Sequence, residues 1–121
     1  MLRVLLDRRE GPALTRSEAE GRLLALVRAA RLSRPELNVR VAGHEVDFLW
    51  REVGLVVEVD GFAFHSSREA FERDRLRDAE LQAHGFTVMR VTWRQLVDTP
   101  EALVARLAAV LTWPHQRLSS K

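Results

Sequence analysis

The sequence has no cysteine, and of its 19 lysine and arginine residues only Lys121 is a lysine. Without cysteine there are no disulfides, no thiolate metal sites and no cysteine nucleophile. No apolar run approaches the roughly 18 residues a membrane-spanning helix needs, and the leucines near the N-terminus are interrupted by Arg3, Asp7, Arg8 and Arg9. No signal-peptide pattern is present, so a soluble, cytoplasmic protein with no membrane partner is expected. The formal net charge is only +2, yet arginine keeps its charge and offers a planar fork suited to phosphate. Arginines facing a phosphate partner are therefore expected within a larger set that laces a solvated surface.

What remains is the composition of an ordinary globular domain. A chain of 121 residues is long enough to bury one core and too short for two. Leu2, Leu5 and Leu6 stand at helical spacing until Gly11-Pro12 breaks the pattern. Thr15-Arg16-Ser17-Glu18 fits a capping box, opening a helix that runs to about Arg31 and buries Ala19, Leu23, Leu26, Val27 and Ala30. Glu20 borders that stripe, so it either points into a site beneath the helix or faces solvent. From Leu37 the period changes to two, with Leu37, Val39 and Val41 on one face, followed by a turn at Gly43-His44 and a second strand over Val46 to Trp50. Leu55 to Asp60 is an apolar run that suits a strand buried on both faces. A charged helix from about Ser67 to His84 carries too few apolar residues for deep burial, with Ser66 to Glu69 offering a second capping box. Gly85 is a left-handed stop, Phe86 to Thr92 a fourth strand, and Pro100 to Leu111 a last amphipathic helix. The expected units are an N-terminal extension or linkage remnant over 1–14, a domain over 15–113 and a tail over 114–121.

Three carboxylates stand in or beside these oily strands: Asp47, Glu58 and Asp60. Burying an ionised carboxylate costs several kcal/mol unless a cation compensates. Glu58 and Asp60 share a face because strand side chains alternate, and an antiparallel pairing would bring Asp47 across to them. Hard oxygen donors of this kind hold magnesium, with water and phosphate completing the shell. Such an ion polarises a phosphate and lowers the pKa of a bound water, which is the chemistry of phosphodiester hydrolysis. His65, just past the strand end, has an ordinary pKa near working pH and could act there as base or acid. His44, His84 and His115 need no role beyond surface positions.

Asp47 followed by Glu58-Val59-Asp60 looks like a variant of the PD-(D/E)xK nuclease motif. More closely, Asp47-Phe48, Val57-Glu58-Val59-Asp60-Gly61, Phe64-His65, Phe71-Glu72-Arg73-Asp74, Arg77-Asp78, Gly85-Phe86 and Val91-Thr92-Trp93 resemble the DUF559 family, relatives of the very-short-patch-repair (Vsr) endonucleases. The similarity runs from about Thr15 to Leu111. It implies an α/β restriction-endonuclease-like core of order αβββαβα, with a mixed four-stranded sheet flanked by helices. It further implies a Mg2+-dependent DNA endonuclease or nickase, Mn2+ substituting, in which Asp47, Glu58 and the Val59 carbonyl hold the metal. Glu20 would help position the attacking water and His65 would lie near the scissile phosphate. Asp60, the remaining member of the catalytic set, stands where family motifs carry lysine and Vsr enzymes histidine. Either His65 or an arginine such as Arg73 then substitutes, or Asp60 binds a second metal, or the site is impaired. Arg68, Arg73 and Arg77 would track the DNA backbone, and Phe64 would wedge into the duplex or pack under the next helix. The rival expectation is a non-catalytic nucleic-acid-binding module of the same fold, an accessory domain of a repair or toxin-antitoxin protein with an upstream winged helix.

Overall fold

Thr15 starts the first helix as the capping box demands. Its hydroxyl accepts from the Glu18 N–H at 3.0 Å while the Glu18 carboxylate accepts the Thr15 N–H at 2.9 Å. The computed structural model describes residues 15–60 and 68–112. In chain order these form α1 (Arg16–Ala29), β1 (Glu36–Val41), β2 (His44–Trp50), β3 (Leu55–Asp60), α2 (Arg68–Ala83), β4 (Thr87–Thr92), α3 (Trp93–Asp98) and α4 (Pro100–Thr112). The capping box expected at Ser66 to Glu69 includes residues outside the described ones.

The strands lie in the order β1-β2-β3-β4, the first two pairings antiparallel and the last parallel. Helices cover both faces. On one, α1, α3 and α4 bury Ala19, Leu23, Val27, Leu96, Leu103 and Leu107 against Phe48, Trp50, Leu55, Val57, Val59 and Val91. On the other, Leu81 of α2 packs on Val41, Val46, Leu49 and Val56. Leu81 is the buried residue of α2, and Phe71 and Leu76 stay 55% and 63% exposed. This agrees with the sparse apolar content read from the sequence. The charges of α2 tie it to the sheet: Asp78 takes both arms of Arg90 at 3.1 and 3.2 Å, and Glu80 meets His44 at 2.6 Å.

Two departures from the expected elements have local causes. The last strand leads directly into α3, because Thr92 caps it with Gln95 in a second box; its hydroxyl accepts from the Gln95 N–H at 3.2 Å. Thr92-Trp93-Arg94-Gln95 carried that signal. The first helix ends at Ala29, leaving Ala30 exposed as its C-cap, while Leu26 is half-buried. Arg31 follows at φ 59°, and the N–H groups of Arg31 and Leu32 donate to the Arg28 and Val27 carbonyls at 3.0 Å. This is a Schellman closure with arginine where glycine is favoured. The same closure after α2 carries Gly85, at φ 95°. Replacing Arg31 by Gly removes the left-handed strain at an exposed position and is expected to stabilise the fold by about 0.5–1 kcal/mol, read as a thermal midpoint raised by a few degrees.

The first two strands are also dislocated at one point. Leu37 pairs with Phe48 and Val39 with Val46, but the intervening Asn38 and Asp47 are unpaired in that register. Asn38 adopts φ 49°, a conformation asparagine tolerates better than most residues. Strict alternation would put Val46 on the side of Phe48, yet Val46 packs with Leu49 and Val56 while Phe48 packs with Trp50 and Val57. The face therefore switches at Asp47. Leu37 thus lies on the Phe48 side, where it is 43% exposed, while Val39 and Val41 join the core on the other side.

Candidate active site

The second ladder fails at the same residue. Pairing of β2 with β3 runs from Trp50↔Leu55 to Phe48↔Val57 and stops. Beyond it the Asp47 side chain takes over a backbone role: its Oδ2 accepts the Val59 N–H at 2.9 Å. The Asp47 N–H in turn donates to Glu58 Oε2 at 3.4 Å. Asp47 and Glu58, 4% and 5% exposed, are thereby set side by side where the strands part.

Each buried carboxylate is met by an arginine from a different helix. Arg16, in the first turn of α1, donates to Asp47 Oδ1 at 2.9 Å and approaches Glu20 at 3.6 Å. From α2, Arg77 donates to Glu58 Oε2 at 3.2 Å and to the Glu45 carbonyl. The neutralisation is incomplete. Burial, and after it the charge of Asp47, push the Glu58 carboxyl above its ordinary range against the pull of Arg77. Glu20 is raised by the same two causes in the same order, although Arg16 and a hydrogen bond from Asn38 oppose them. Its half-buried place beside Asp47 decides between the two positions open to it in the sequence.

The raised Glu58 has a consequence for stability. A carboxyl whose folded pKa lies above its unfolded value binds more protons in the folded state across that window, so stability falls as pH rises through it. Without metal, Glu58→Gln is expected to melt above the wild type at neutral pH. The gap should close as pH falls to the ordinary carboxylate range. Thermal melts of both proteins across pH, in EDTA, read this directly, and a gap that widens towards acid would contradict it.

The other expected site residues divide. Asp60 ends β3 exposed, opposite Thr92. Arg68 and Arg73 are exposed on α2, while Arg77 is drawn in to Glu58. Phe64 and His65 lie outside the described residues. Among the described residues no three His, Asp or Glu side chains are grouped to hold a metal ion by themselves, and no helix is long and apolar enough to cross a membrane. Arg16 and Asn38 were not singled out from sequence. The signal for Arg16 was its place at the first helical position, where a cation opposes the helix dipole and gains nothing locally.

Comparison with known proteins agrees with this architecture. The family model REase_MTES_1575, a restriction-endonuclease-like family, matches residues 23–111. The chain belongs to this family. Uncharacterized proteins of two Mycobacterium tuberculosis strains, CDC 1551 and H37Rv, are 32% identical over 111 residues, covering 88% of this chain and 40% of their own length. An uncharacterized protein of Haemophilus influenzae is 40% identical over 62 residues, 51% of this chain and 50% of that protein. The chain thus spans half or less of these relatives. The catalytic domain of the homing endonuclease I-Bth0305I superposes with a TM-score of 0.64 at 20% identity, covering 76% of this chain and 91% of the domain. That match shows the fold: α/β, a mixed four-stranded sheet between helices.

Proposed function

We propose that this domain is a metal-dependent DNA endonuclease or nickase, akin to the DUF559 and Vsr nucleases. The observation that carries the reading is the pair Asp47 and Glu58, buried side by side at the parting of two strands in a restriction-endonuclease-like family member. Two adjacent buried carboxylates need positive charge, and Glu58 remains raised even with Arg77 against it. That chemistry fits a hard divalent cation, Mg2+ or Mn2+, held by Asp47, Glu58 and the Val59 carbonyl. With two side chains available, the rest of its shell falls to water and substrate oxygen, as Mg2+ prefers. When bound, the ion supplies charge that polarises the phosphate and makes water a better nucleophile.

The chain's own groups then orient and move protons. The carboxylate of Glu20, whose neighbours include Asp47, is assigned to orienting the attacking water, and His65 to taking its proton. The water oxygen bonds to phosphorus, one ester P–O bond breaks, and the departing oxygen gains a proton, leaving a phosphate end and a hydroxyl end. His65 is assigned to proton transfer or phosphate contact, and Asp60, exposed at the end of β3, to a second metal. Exposed Arg68 and Arg73 on α2 are assigned to the DNA backbone, and Phe64 to a wedge into the duplex or to packing under α2. Arg77 was expected to track that backbone too, but its contacts favour holding Glu58. The domain is assigned to 15–113 and acts on DNA.

The test is incubation of supercoiled plasmid with the purified chain in Mg2+ or Mn2+, with EDTA as control. Nicked or linear product that vanishes with EDTA is expected. DNA binding without cleavage in either metal would replace this reading with that of a non-catalytic binding module.

A further inference from the structure

The two arginines at the carboxylates differ in one respect. Arg77 is recessed, its side chain 21% exposed, and it is tied to a backbone carbonyl as well as to Glu58. Arg16 is 61% exposed and reaches inward to an Asp47 carboxylate that is only 5% exposed. An ion pair with one long, solvated partner contributes little to stability, and opening it costs correspondingly little. A guanidinium carries five N–H donors, of which Arg16 spends one on Asp47 and aims another edge at Glu20. The capping box at Thr15 fixes the backbone of the first turn, from which the Arg16 side chain reaches Asp47. An arginine at the first helical position is disfavoured by the dipole, so its reason for being there lies across the gap, at Asp47.

We infer that Arg16 is an exchangeable counter-ion. It holds Asp47 while the site lacks metal, gives up Oδ1 when a divalent cation is bound, and then donates its freed N–H groups to the non-bridging oxygens of the scissile phosphate. This supplies the positive charge that Asp60 cannot supply at the end of β3. The inference rests on the metal-dependent nuclease reading and adds to it the residue that meets the phosphate. Glu20 is the positioning residue, since it stays beside the guanidinium after Asp47 is released.

The experiment uses the whole chain and two variants, Arg16→Gln and Arg16→Lys, both at an exposed position. Mn2+ affinity is measured by electron paramagnetic resonance without DNA, and single-turnover plasmid cleavage at saturating Mn2+. Arg16→Gln is expected to bind Mn2+ about 2- to 5-fold tighter, having lost the competing cation, and to cleave roughly 100-fold more slowly, as when one charge-stabilising donor is removed. Arg16→Lys, which keeps the charge without the fork, should bind Mn2+ like the wild type and recover part of the rate. Unchanged or weaker Mn2+ binding by Arg16→Gln overturns the exchange. Tighter binding with wild-type cleavage overturns the phosphate role. A wild type that cleaves in Mg2+ but shows no Mn2+ bound at Asp47, judged against Asp47→Asn, overturns the metal assignment beneath both.

Discussion

Asp47→Ala and Glu58→Ala are each expected to lower metal-dependent plasmid cleavage by about 1,000-fold or more. A catalytic metal is worth several kcal/mol of transition-state stabilisation, and each 1.36 kcal/mol is a factor of ten in rate. The two losses should differ in kind. Glu58→Ala removes a charge that the fold disfavours, and against that gain stand only the long 3.4 Å contact from the Asp47 N–H and the pairing with Arg77, so its net cost in stability should be the smaller of the two. Asp47→Ala also strips the acceptor from the Val59 N–H, and a buried donor left unsatisfied costs about 1–3 kcal/mol. Asp47→Asn separates these effects, since its side-chain oxygen can still accept from Val59 while the charge is gone. Single-turnover cleavage beside circular dichroism melts gives both quantities. Cleavage at the wild-type rate in either alanine variant would remove the carboxylate pair from the mechanism.

Phe48→Ala is expected to cost about 3–5 kcal/mol, the range for truncating a fully buried aromatic, and to lower the melting midpoint by roughly 10 °C or more. Phe48 is fully buried and stacks on Trp50 with ring centroids 6.2 Å apart. Its paired neighbour Leu37 is 43% exposed, and Leu37→Ala should fall within about 0.5 kcal/mol of the wild type. Urea denaturation of the two variants measures the contrast. Equal losses at both would mean that Leu37 is buried as deeply as its strand partner, contrary to its exposed place at this end of β1.

The parts of this molecule legible in the sequence are those set by near neighbours in the chain. The capping box at Thr15, the Gly85 stop, the alternation of β1 and β2 and the polar character of α2 each depend on residues within one or two turns or strand positions. The carboxylates could be noticed for the same reason, because Asp47 and Glu58 interrupt apolar runs that would otherwise read as core. The short helix α3 is equally local, written in Thr92-Trp93-Arg94-Gln95, but its start is masked by the strand that runs directly into it. The sequence offers Arg73 as one of several stand-ins for the missing lysine, and the arginine of the charged helix that meets Glu58 is Arg77, one turn further on. Periodicity reports that a helix has faces, and it does not report which one meets the sheet.

By itself, then, the sequence determined the elements, their order and the acids that could bind a cation, because capping, turn chemistry and hydrophobic period act over a few residues. Only the tertiary structure decided which charges meet. Arg16 reaches Asp47 across 31 residues and Arg77 reaches Glu58 across 19. Both contacts depend on β2 leaving its two ladders at one residue, so that a side chain takes the place of a backbone hydrogen bond. No local pattern encodes that break, since it arises from the packing of helices on opposite faces of a strand that must serve both.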